Sequence, residues 1–269
     1  MKIHLKYFTG TGNSLKILRT CENEFNAKGY QTEISSISTE AKLPESDLLG
    51  FCFPVYAFGI PRICVKYLKQ LKSFQRKQKV FVLITAGRAD ESGFAIKQCK
   101  RLLEKKNCEL IYSEVVEMPI NWTTSPIPPY PPTAEEAKII INKAIIQTKQ
   151  IADNILKGII KHHTFNFPKR NTKVKFLSDY FLFKHLGIQH MWRYFSLYET
   201  CNGCGICDKI CPTNSIEMIA KKPQWSNGCE QCMRCVNYCP KEAIYQSPNG
   251  KTKNRHKYHE PDFNPTKNE

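Results

Sequence analysis

Long apolar runs are missing from this 269-residue chain; nowhere does it gather the eighteen or so consecutive apolar residues that a membrane helix needs. Acidic residues are also scarce, 24 Asp and Glu against 40 Lys and Arg, for a net charge of +16. The opening Met1-Lys2-Ile3-His4-Leu5-Lys6-Tyr7 lacks the unbroken apolar core of a secretion signal, so the expected location is the cytoplasm. Thiols stay reduced there, and thirteen cysteines then do not form a disulfide framework. They are ligands, catalysts or core filler.

The basic excess has no organising motif. Lys and Arg are spread through 66–106, 157–175 and 251–257, with no recognition helix. No nucleic-acid partner is expected. Such a surface suits solvation, or docking to an acidic redox partner protein.

Eight of the thirteen cysteines fall between positions 201 and 239. They form Cys201-Asn-Gly-Cys204-Gly-Ile-Cys207-Asp-Lys-Ile-Cys211-Pro212 and Cys229-Glu-Gln-Cys232-Met-Arg-Cys235-Val-Asn-Tyr-Cys239-Pro240. Both read C-x2-C-x2-C-x3-C-P, the run that ligates [4Fe-4S] clusters in bacterial proteins. Three thiolates two residues apart can wrap one face of a cubane. The longer gap and the proline turn the fourth cysteine towards the other cluster. Cys201, Cys204, Cys207 and Cys239 are therefore expected to hold one cluster, and Cys229, Cys232, Cys235 and Cys211 the second. Structural zinc would want two pairs per site rather than a triplet and a distant fourth ligand. The runs start 28 residues apart and continue alike, Cys211-Pro-Thr-Asn-Ser-Ile216 and Cys239-Pro-Lys-Glu-Ala-Ile244, as a duplicated unit should. The segment resembles the two-cluster bacterial ferredoxins. The other cysteines, Cys21, Cys52, Cys64, Cys99 and Cys108, stand singly and read as small buried hydrophobes. His162 and His163 lie in a polar stretch with no partner at ligand spacing.

Before the cysteines, short apolar runs alternate with amphipathic stretches. Strands are predicted at 2–8, 31–36, 47–53, 79–85 and 109–117, and helices at 14–28, 61–71, 91–106 and 133–157. Val80-Phe-Val-Leu-Ile84 is apolar throughout, as a strand covered on both faces should be. Thr133-Ala-Glu-Glu136 is a capping box ahead of a stripe of Ile141, Ala144, Ile145, Thr148, Ala152 and Ile155. The first strand is less clean, because His4 and Lys6 share one of its faces. This alternation implies an α/β fold, a doubly wound five-stranded parallel sheet, followed by a small α+β ferredoxin domain.

The first strand runs into Phe8-Thr9-Gly10-Thr11-Gly12-Asn13-Ser14 and a helix, a turn whose converging N–H groups suit a phosphate. Leu15 stands where a dinucleotide fingerprint needs its third glycine, and no Gly-Lys-Ser/Thr makes a Walker loop. The turn resembles the T-x-T-G-x-S/T loop of flavodoxins. The third strand ends in Pro54-Val-Tyr56-Ala57-Phe58-Gly59 and the fourth in Thr85-Ala86-Gly87, at the carboxyl edge where open sheets bind ligands. The resemblance implies FMN, its phosphate held by Thr9, Gly10, Thr11, Gly12, Asn13 and Ser14. The ring would lie against Pro54, Tyr56, Ala57, Phe58 and Gly59, and beside Thr85, Ala86 and Gly87. Trp122 is the candidate for its outer face. The second helix of such a domain is replaced by the short segment 38–46.

The expected organisation is a flavodoxin-like domain over 1–158, an aromatic and basic linker over 159–198, a 2[4Fe-4S] domain over 199–247 and a polar tail over 248–269. The linker either lies on a membrane surface or, the better reading, packs between the domains. The tail either wraps the surface or is disordered. The whole resembles a bacterial ferredoxin family with an N-terminal flavodoxin-like domain. That resemblance implies an electron carrier with two [4Fe-4S] clusters coupled to FMN. The alternatives are a flavin-dependent oxidoreductase fed by its own clusters, and a basic binding or redox-sensing protein with structural clusters.

Overall fold

The computed structural model describes residues 1–37, 43, 46–126, 128–164, 181, 187 and 190–266. The first half alternates β1 (Lys2–Tyr7), α1 (Asn13–Ala27), β2 (Gln31–Ser36), β3 (Leu48–Pro54), α2 (Arg62–Gln70), β4 (Gln78–Ala86), α3 (Ala95–Glu104), β5 (Cys108–Glu117) and α4 (Ala134–Leu156). The sheet order is β2-β1-β3-β4-β5, every pair parallel, which is the flavodoxin-like order. A two-residue strand, β6 (Lys161–His162), extends the edge beside β5, so the sheet has six strands rather than the five expected. Two residues carry too little periodicity to announce a strand. The segment expected to replace a helix at 38–46 lies largely outside the described residues.

Two cores flank the sheet. Ile3, Leu5, Tyr7, Phe81 and Tyr112 pack with Leu18 and Phe25 of α1 and Ile141, Ala144 and Ala152 of α4. Leu49, Phe51, Phe53, Val82 and Ile84 pack with Cys64 and Leu68 of α2 and Cys99 and Leu103 of α3. The capping box at Thr133 forms as expected, the Thr133 hydroxyl accepting from Glu136 N and the Glu136 carboxylate from Thr133 N. All five solitary cysteines are buried, and burial pushes each of their thiols up. His4 and Lys6, the polar pair on β1, are buried too, since β1 lies between β2 and β3.

The second half is small. A hairpin of β8 (Ile216–Ile219) and β9 (Lys222–Trp225) accompanies two single-turn helices, α5 (Ile206–Lys209) and α6 (Arg234–Asn237). β7 (Phe195–Leu197) pairs antiparallel with β10 (Ile244–Gln246). Phe195 to Leu197 therefore belong to the cysteine-bearing module, not to the linker. Their hydrophobic side chains pack beside Ile216, Met233, Val236 and Ile244. The aromatic segment 176–183 lies outside the described residues except for residue 181. The tail wraps back over the sheet, with Tyr258 and Phe263 buried in the α1/α4 core.

Candidate iron–sulfur and sheet-edge site

The two cysteine runs fold alike. Gly203, Gly205 and Asn214 take left-handed backbone at φ 72, 74 and 49°, and their counterparts Gln231, Met233 and Glu242 do so at 58, 60 and 46°. Non-glycine residues rarely adopt that region, so its retention in the second copy marks a turn that the surroundings enforce. Each fourth cysteine accepts a hydrogen bond from the amide four residues on: Ser215 N donates to Cys211 Sγ and Ala243 N to Cys239 Sγ, both at 3.3 Å.

Each fourth cysteine lies away from its own triplet in the chain's fold. Cys201, Cys204, Cys207 and Cys239 line one cavity with Ile206, Met218 and Ile244. Cys211 lies close enough to the other triplet that a thiolate there would raise the thiols of Cys229, Cys232 and Cys235. Among the described residues, no three His, Cys, Asp or Glu side chains close tightly enough for a single ion. The environments of the two sets differ. Cys204 is exposed, whereas Cys232 and Cys235 are buried. Burial pushes the Cys229 and Cys232 thiols up to about 12 and the Cys207 thiol to about 11. Iron, which binds thiolate, must displace those protons. At Cys232 the Arg234 guanidinium opposes the effect of burial.

Arg234, which the cysteine pattern hid, joins the two halves. It is fully buried. Its Nε donates to Gly10 O at 2.7 Å, one terminal nitrogen to Thr9 O at 2.7 Å and the other to Ile210 O at 3.0 Å. Beside it, Glu230 caps α2, accepting from Arg62 N at 2.8 Å and Ile63 N at 3.1 Å. Burial raises the Glu230 carboxyl pKa, against the pull of Arg62. Arg62 in turn donates to Cys229 O at 2.7 Å. Asn121, after β5, donates to both Thr11 Oγ1 at 3.0 Å and Cys232 O at 3.2 Å. Trp122 packs against the core of the cysteine module instead of standing free to cover a ring.

The residues expected around FMN do gather at the carboxyl edge. Thr9 Oγ1 accepts from Gly12 N at 2.9 Å, and the Ser14 and Thr85 hydroxyls pair at 2.9 Å. Asn13 bonds Pro119 O and the Tyr258 hydroxyl. Ala57 and Phe58 take left-handed backbone in a tight turn closed by Tyr56 N to Gly59 O at 2.7 Å. Pro54 ends β3, and Thr85 and Ala86 end β4, directly before Gly87.

The phosphate turn, however, is covered. Thr9, Thr11 and Ser14 are each at most 1% exposed. A methyl group on Gly10 would collide with Cys232 O and lie 2.7 Å from the Tyr56 hydroxyl. One on Gly12, at φ 105°, would lie 2.6 Å from Cβ of both Glu260 and Phe263. Glu260 N donates to Thr11 O at 2.7 Å, and Lys16 of α1 pairs with Glu260 at 3.0 Å and Asp262 at 2.6 Å. In this arrangement the turn does not fit an FMN phosphate, because the chain's own segments stand over it.

Fold and cysteine array together define a flavodoxin-like α/β domain joined to an iron–sulfur module. Residues 197–217 match the family model described as a 4Fe-4S binding domain. No curated protein matches the sequence. Among solved structures, the chain is similar to oxidised flavodoxin 2 from Bacillus cereus, at 13% identity and a TM-score of 0.43, over 58% of this chain and 99% of that one. A Streptococcus pneumoniae flavodoxin matches at 13% identity and TM-score 0.42, over 59% and 100% of the two chains. Two-electron reduced Megasphaera elsdenii flavodoxin matches at 19% and 0.38, over 54% and 98%.

Replacing Arg234 with Met should leave three buried carbonyl acceptors unmet and cost about 3 kcal/mol or more. Urea denaturation of the cluster-loaded protein is expected to show that loss, with protease cutting between the two halves at lower urea. An unchanged midpoint would contradict Arg234's joining role.

Proposed function

We propose that this chain passes single electrons through two [4Fe-4S] clusters, one held by Cys201, Cys204, Cys207 and Cys239, the other by Cys229, Cys232, Cys235 and Cys211. The exchange of fourth cysteines carries this reading. Cys239 lines the cavity of the earlier run, and Cys211 packs in the same small core as Cys235 of the later one. Such clusters supply one-electron redox chemistry at potentials set by hydrogen bonds to sulfur and by solvent access.

The protein's own groups make the two positions unequal. The exposed Cys204 puts the first set at the surface. Buried Cys232 and Cys235, with the Arg234 cation beside them, put the second set inside. A buried positive charge favours the more negative, reduced state, so the inner position is the stronger electron holder. The outer position is where a partner protein meets the chain. Lys209, Lys221, Lys222 and Lys241 are exposed around it, which suits an acidic partner. FMN has no part in this route, because the turn that would hold its phosphate is covered by Cys232, Glu260 and Phe263. Among the described residues no helix is long and apolar enough to cross a membrane, and we place the carrier in the cytoplasm.

Two experiments test the route. Cys211→Ser is expected to impair the cluster of the later triplet and spare the earlier one, and Cys239→Ser the reverse. Iron analysis and electron paramagnetic resonance of the reduced protein read this out. Two unaltered clusters in either variant would end the exchanged-ligand scheme. Lys222→Glu combined with Lys241→Glu is expected to slow electron transfer from an acidic donor protein about tenfold at low salt, with the difference shrinking as salt rises. Stopped-flow rates that respond to neither charge nor salt would move the docking face elsewhere.

A further inference from the structure

In a doubly wound sheet the carboxyl edge is the ligand edge. Here two segments far apart in the chain, the cysteine module at 232–234 and the tail at 260–263, close over its first turn. The Cys232 carbonyl stands over Gly10, Glu260 and Phe263 over Gly12, and the Arg234 guanidinium holds the Thr9 and Gly10 carbonyls. The hydroxyls that would contact a phosphate are already engaged: Thr9 with Gly12 N, Thr11 with Asn121, Ser14 with Thr85. Tyr56 belongs to the loop expected to meet a flavin ring, yet its hydroxyl points at Gly10, in the same small space as the Cys232 side chain. That hydroxyl is buried, and among the described residues no protein atom pairs with it. An unmet buried hydroxyl is costly, and such an orphan signals an unseen partner. The Cys232 side chain shares that space, so sulfur of a cluster held by Cys232 would be the partner within reach.

We infer that the sheet's ligand edge seats the second iron–sulfur cluster in place of FMN, with the cysteine module and tail filling the phosphate turn and the Tyr56 hydroxyl donating to cluster sulfur. This rests on the proposed cluster ligation. The flavodoxin-like domain then acts as a wall: it keeps water from the inner cluster and offers it one hydrogen bond. The glycines at 10 and 12 are kept for close approach by the chain itself rather than by a phosphate.

Three measurements decide it. Full-length protein, loaded anaerobically with iron and sulfide and then incubated with excess FMN, is desalted and assayed for both iron and flavin. Iron for two clusters with no retained flavin is the expected result. Iron for two clusters with one flavin per chain would overturn the inference while leaving the electron-transfer reading intact. Absence of iron would overturn that reading and this inference with it. In the flavin-free protein, the Thr9–Ser14 amides should keep their protection in hydrogen exchange, and rapid exchange there would show an open site. Tyr56→Phe removes one oxygen and should lower the midpoint potential of a single cluster, read by redox titration with paramagnetic resonance. Two unshifted potentials would remove Tyr56 from the cluster's surroundings.

Discussion

A single buried cation organises this molecule. Arg234 lies between Cys232 and Cys235 in the chain, yet spends its planar fork on carbonyls from both halves. A lysine could not do this, because its point charge lacks the rigid, divergent donors of guanidinium. Burying such a charge costs far more than carbonyl hydrogen bonds return unless negative charge lies near. Thiolates of the proposed second cluster would meet that need, and Arg234 already opposes the effect of burial on the Cys232 thiol. Docking of the module and the proposed ligation at its inner cysteines would then support each other.

Around that point the interface is polar and, apart from the Tyr56 hydroxyl, well supplied with partners. Glu230 answers the N-terminus of α2, Asn121 bridges Thr11 and Cys232, and Thr123 and Thr124 donate to Asn237 and Gln246 of the module. Few of these groups would find partners if the two halves separated without water entering. The tail completes the seal, with Lys16 of α1 gripping Glu260 and Asp262. Burial would lower the Lys16 pKa, but the two carboxylates outweigh it and the result is upward.

Much of this was legible from residues alone. The strands and helices of the first half fall within a few residues of where periodicity puts them, because apolar runs such as that of β4 leave few alternatives. The proposed crossing of Cys211 and Cys239 rests on a three-residue gap and a proline in each run. What escaped has a common cause. β6 pairs over two residues, too few to show a period. Arg234 sits among the loudest motif in the chain and looks like a spacer. Asn121, Glu230 and Glu260 act on residues more than a hundred positions away, and nothing local marks them. The glycine-rich turn reads in the sequence as a phosphate site, and the structure sets the chain's own Cys232, Glu260 and Phe263 over it. Whether the approaching group is a phosphate or a carbonyl is decided by tertiary contacts, and a fold does not by itself fix its ligand.

Anomalous diffraction at the iron absorption edge, on crystals grown without oxygen, tests the central claim most directly. The account predicts two iron peaks per chain, one inside the ring of Cys201, Cys204, Cys207 and Cys239, and one beside Cys232 against the turn from Thr9 to Ser14. A lone peak, or a second one remote from that turn, would contradict it.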